Sequence, residues 1–158
     1  MVRLAIVTGM DNPTEHPFTP FVAHLGARFV RAEDGQAEIR LTLLPHHLNG
    51  LEVAHGGVVM TLLDVVMALA ARAADPEGQG VVTIEMKTTF LRPAKGELCA
   101  LGWCDHRSTT MAFCRGEIRD QSGRLLAQAM GTFKRMNMLN RSNPRHLSSN
   151  RSSTTPSD

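Results

Sequence analysis

Asp64 stands in Thr61-Leu62-Leu63-Asp64-Val65-Val66, a carboxylate set into an otherwise apolar run. Kept dry and unpaired, such a group is costly. It therefore either faces a wet crevice or an arginine, or works as a partly desolvated base or nucleophile. Upstream lies His55-Gly56-Gly57. Paired glycines let a substrate approach the backbone, and the first N–H groups of a helix are unpaired at the positive end of its dipole. That is a place to hold the oxyanion of an acyl transfer; a Gly-Gly pair also serves as a plain loop-to-helix junction. Gly56 and Asp64 are eight residues apart, about 12 Å along one helix. A base and an oxyanion donor must both come within about 3 Å of the reacting group. Two copies packed antiparallel about a twofold axis meet that demand, with Gly56 of one facing Asp64 of the other, so an enzyme of this kind is expected to be an obligate homodimer.

The elements that must position these groups are readable around them. A helix is predicted from Gly56 or Gly57 to Ala74, stopped by Asp75-Pro76-Glu77-Gly78. It is apolar nearly all round, which predicts a helix enclosed by other elements. Before it, Arg28 to Leu44 reads as strand–turn–strand about Asp34-Gly35, and Pro45 to Gly50 as a loop. Pro20 opens a helical turn over Phe21 to Leu25. After the helix the period becomes two, with Ile84, Met86 and Phe90 facing one way and Thr83, Glu85, Lys87 and Thr89 the other. Strands are predicted at Leu98 to Cys104, Met111 to Arg119 and Arg124 to Met136, with turns at Pro93 to Gly96, Asp105 to Ser108 and Asp120 to Gly123. Two strands, one buried helix and four more strands make an α+β domain, an antiparallel sheet wrapped around one long central helix.

Composition narrows the classes. The 158 residues suit one domain, placed at residues 18–136. Residues 1–17 read as a flexible segment and residues 137–158 as a disordered polar tail of Ser, Asn, Arg and Thr with little to bury. A formal charge of +2 gives no reason to expect nucleic acid. No secretory cleavage site follows Leu4-Ala5-Ile6-Val7, and no apolar run of about 18 residues is read as a membrane span. Three cysteines without CxxC spacing suit a reducing cytoplasm.

The run Asn49-Gly50-Leu51-Glu52-Val53-Ala54-His55-Gly56-Gly57, with Asp64 after it, resembles the phenylacetate-pathway (PaaI-type) branch of the hotdog acyl-CoA thioesterases. Thr83 to Pro93 and Asp120 to Ala127 extend the likeness over about residues 20 to 136. The resemblance implies a hotdog fold and hydrolysis of an acyl-coenzyme A, with a medium-chain or aromatic acyl group, in a homodimer or homotetramer. It implies Asp64 as base or nucleophile, the Gly56 N–H as oxyanion donor, Asn49 orienting the thioester carbonyl and Thr83 positioning water. His55 either polarises the site or fixes the loop. No metal or redox cofactor is implied; the loop pair His46-His47 lacks the i, i+4 spacing of a helical metal pair. Arg92, Lys95 and Arg107 are candidates for the coenzyme A phosphates, or plain surface charges. Met60, Met67 and Met86 fill core or line a flexible acyl pocket.

Two other readings stay open from sequence. Hotdog hydratases and dehydratases also pair a loop histidine with a helix carboxylate, and a non-catalytic acyl-CoA binding module would keep the fold alone.

Overall fold

The computed structural model describes residues 18–74 and 80–136; the expected N-terminal segment and polar tail lie outside these. The elements run α1 (Pro20–His24), β1 (Arg28–Glu33), β2 (Gln36–Thr42), a 3-10 turn (Pro45–His47), α2 (Gly56–Ala73), β3 (Gly80–Phe90), β4 (Glu97–Arg107), β5 (Met111–Arg119) and β6 (Leu125–Met136). The six strands form one sheet in the order β1-β2-β4-β5-β6-β3, every neighbouring pair antiparallel. Asp34 and Gly35 both take positive φ, which a two-residue hairpin between right-twisted strands requires.

The core lies between α2 and the concave face of the sheet. Leu62, Leu63, Val66 and Met67 pack there against Ile39, Leu98, Ile118 and Phe133, all fully buried. The helix comes close because β4 offers Gly102 beneath it. A Cβ at that position would run into the Val66 carbonyl and lie 3.1 Å from the Met67 nitrogen.

The structure departs from four sequence expectations. The helix is not enclosed all round: Met60 is 40% exposed, and Thr61, Asp64, Val65, Ala68 and Leu69 are half-buried on a stripe the sheet does not cover. Apolarity all round showed that this face needs a cover, and one chain does not supply all of it. The same helix, at 18 residues and mean hydropathy 1.6, has the length and composition of a membrane span, although no such run was expected. Its buried face, packed into the sheet, is that of a core helix.

Strand β4 does not turn at Asp105; it continues to Arg107, with the turn displaced to Ser108–Thr110. Arg115 on β5 pairs with Asp105 at 3.0 Å, and the Ser108 hydroxyl accepts the Thr110 and Met111 N–H groups. These bonds favour the longer ladder. Finally, the alternation along β3 is broken. Thr83 pairs with Phe133 and Glu85 with Thr132, so Ile84 is an extra residue, a β-bulge. Thr83 therefore lies opposite inward-facing Phe133 and shares the helix side with Met86, away from Glu85 and Lys87.

Candidate active site

The bulge decides the first contact. Thr83, turned toward α2, donates its hydroxyl to Asp64 Oδ1 at 2.7 Å. Asp64 is half-buried and lines a cavity of about 450 Å³ between α1 and the open stripe of α2, with Phe21, Val22, Met60, Val65 and Met86 among its apolar walls. A carboxylate in such a wall is held by one neutral donor while Oδ2 stays available. No arginine among the described residues pairs with it.

The second element is the start of α2. His55 is its N-cap, and Nδ1 accepts the Gly57 N–H at 3.0 Å, so a neutral His55 carries its proton on Nε2. The His55 carbonyl accepts from Val58 and Val59. Among the described residues nothing accepts the Gly56 N–H. A Cβ on Gly57 would sit 3.1 Å from His55 Nδ1 and crowd the cap, whereas one on Gly56 would meet the Phe90 ring at an ordinary 3.5 Å. Gly57 thus serves the cap, Gly56 leaves a donor open, and His55 fixes the loop-to-helix junction through Nδ1.

The loop before the helix is held from within. Asn49 Oδ1 accepts the Leu51 N–H at 2.9 Å and the Val53 N–H at 3.4 Å, which leaves its amide NH2 for other partners. His47 is fully buried; its Nδ1 accepts the Leu44 N–H at 2.9 Å and its carbonyl the His55 N–H at 2.8 Å. Burial, with a smaller push from His46, holds the His47 pKa below the ordinary imidazole value, while the Leu25 carbonyl opposes that shift. No group of three or more metal-ligating side chains occurs among the described residues.

The expected phosphate-binding residues do not converge. Arg92 donates to the Leu125 carbonyl at 2.8 Å, and Lys95 is exposed in the same β3–β4 connection. Arg107 ends β4, 11 residues long and so about 35 Å from end to end. Arg92 and Lys95 can share a ligand at one end of the sheet; Arg107 cannot join them within one chain.

The sequence profile of the thioesterase superfamily matches residues 51–127, the stretch that carries Gly56, Asp64 and Thr83. An Archaeoglobus fulgidus protein that carries an esterase name is 30% identical over 115 residues, 72% of this chain and 73% of its own. The chain belongs to the thioesterase superfamily. Human acyl-coenzyme A thioesterase 13 is 27% identical across 65% of this chain and 75% of its own. The solved structure of Escherichia coli PaaI, from the phenylacetic acid degradation operon, superposes with a TM-score of 0.69 at 25% identity, covering 74% and 84% of the two chains. The hotdog fold and the PaaI likeness read from the sequence stand with these matches, as does the character of a thioester hydrolase that superfamily membership carries.

Four contributors to the site were missed from sequence. Phe90 lies over Gly56, Phe18 and Phe21 wall the cavity from the α1 side, and Arg72 reaches that same cavity. Arg72 falls on the Asp64 stripe of α2 at i+8, and that spacing was the available signal.

Proposed function

We propose that this thioesterase hydrolyses acyl-coenzyme A thioesters in a site completed by a second copy of the chain. The observation that carries the reading is the Thr83–Asp64 hydrogen bond in the wall of an apolar cavity. Asp64 takes a proton from a water whose oxygen attacks the thioester carbonyl; direct attack by the carboxylate is the variant of the same step. The carbonyl oxygen becomes an oxyanion facing the Gly56 N–H of the partner copy. Collapse breaks the C–S bond, and the proton passes to the departing coenzyme A thiolate. Asn49, through its amide NH2, orients the carbonyl beside Gly56. The cavity suits a medium-chain or aromatic acyl group, and Arg92 with Lys95 suits the coenzyme A phosphates. The chemistry calls for no metal or redox cofactor.

The second copy is argued from β3. It pairs with β6 alone among the described residues, and Val82 and Ile84 on it are 46% and 55% exposed. A long apolar edge strand is a template for another strand. Two chains joined edge to edge about a twofold axis run their α2 helices antiparallel, as the 12 Å estimate requires. The outer sheet face, where Met130 is 71% and Phe113 44% exposed, suits pairing of two such dimers into a tetramer. The three free cysteines fit a cytoplasmic setting.

The test is thiol release from a panel of acyl-coenzyme A thioesters by the native chain and Asp64→Ala. The native chain is expected to cleave at least one medium-chain or aromatic thioester, and the variant to lose about two orders of magnitude or more while folded. Absence of release from every thioester sinks the reading and turns attention to hydration of enoyl thioesters.

A further inference from the structure

At the rim of the cavity beside Asp64 stands an exposed arginine, Arg72, a charge that hydrolysis of a plain acyl chain does not use. Along α2 it runs from Met60 past Asp64, Val65, Ala68 and Leu69 to Arg72. Asp64 and Arg72 are eight residues apart on the helix, about 12 Å of rise, and the wall between them is apolar. Arg72 forms no ion pair with any described carboxylate. A cation in the last turn suits the helix dipole, but that role does not require it to line a cavity whose other end is the reacting carboxylate.

Resting on the thioesterase reading above, we propose that the acyl groups this site selects carry an anionic far end: ω-carboxyacyl thioesters of coenzyme A, with the distal carboxylate on the Arg72 guanidinium. A guanidinium presents two parallel N–H donors to a carboxylate, a geometry a plain methyl terminus cannot use. An extended alkyl chain advances about 1.25 Å per carbon, from bonds of about 1.5 Å. A thioester carbonyl beside Asp64 and a carboxylate at Arg72 are then separated by about eight to ten carbons. Phe18, Phe21 and Leu69 cover the methylenes between.

The experiment compares kcat/KM for octanoyl- and decanoyl-coenzyme A with that for their ω-carboxy counterparts, using the full chain. The native protein is expected to favour the ω-carboxy thioesters about tenfold or more. Arg72→Gln should bring that ratio near one, and Arg72→Lys should restore part of it. A native ratio of one or less, or a preference that survives Arg72→Gln, overturns the proposal. The same pairs, made as uncleavable thioethers, are titrated calorimetrically. Tighter, Arg72-dependent binding of the ω-carboxy thioether without cleavage of any thioester would remove the hydrolase reading and leave this one standing. Equal binding of the two thioethers overturns this one whatever the turnover.

Discussion

Thr83 reaches Asp64 with a 2.7 Å hydrogen bond because Ile84 is an extra residue in β3. Without the bulge, Thr83 would point with Glu85 and Lys87 to the outer face, and the carboxylate would lose its donor. Bulges re-aim single side chains while leaving the ladder on either side intact, and here the re-aimed side chain is the one that holds the Asp64 carboxylate. Thr83→Val should therefore lower kcat about tenfold or more with little change in unfolding midpoint, and Thr83→Ser should keep most of the rate. Steady-state thiol release with both variants is the check; equal rates for Val and Thr would remove Thr83 from the machinery.

Gly56→Pro separates donor from scaffold. Position 56 is the first of the helix, where proline is well tolerated, and His55 at φ −58 and ψ 139 already has the extended conformation that precedes proline. The substitution deletes the open N–H alone. We expect stability within about 1 kcal/mol of native and a loss of kcat of about a hundredfold or more. A fully active Gly56→Pro chain would exclude this N–H as the oxyanion donor.

Gly102→Ala tests the close approach of helix and sheet. A methyl group there meets the Val66 carbonyl, backbone against backbone, with no flexible side chain to yield. The cost expected is about 3 kcal/mol, read from urea unfolding. Gly50→Ala, with nothing within 4 Å of its Cβ, is the control.

His47 gives stability a dependence on pH. Its folded pKa lies below the ordinary 6.5 because it is buried. Above about pH 6.5 neither state binds the proton. As pH falls below that value the unfolded chain takes it up first, so stability declines toward the folded pKa and levels off beneath it. His47→Asn, which retains an acceptor for the Leu44 N–H, should flatten the urea midpoint between pH 7.5 and 5.5 by comparison with native. Identical slopes would assign the decline to other groups.

Much of this was legible in the sequence. The Asp34-Gly35 hairpin and the helix that carries Gly56 and Asp64 follow from turn chemistry and apolar patterning, whereas Asn49 and Thr83 came only from the family resemblance; of these four, the structure joins Thr83 to Asp64. What escaped has a physical reason in each case. Residues 80–90 still look β-like with one residue inserted, so the period alone placed Thr83 on the wrong face. Gly102 in a strand reads as a weak point until the helix above it is known. Loop position concealed the burial of His47, which depends on how the 3-10 turn packs. The apolar α2 signalled that every face needs a cover, without indicating which face the sheet leaves open.

The spacing of Gly56 and Asp64 on one rigid helix carries a genetic consequence. If each site draws one residue from each chain, two inactive proteins can repair one another. In a mixed dimer of Asp64→Ala and Gly56→Pro chains, one site receives both lesions and the other receives neither. Random reassortment of equal amounts should then restore about a quarter of native activity, since half the dimers are mixed and each has one intact site. Neither variant alone regains anything, and a chain holding its whole site would show no such rescue.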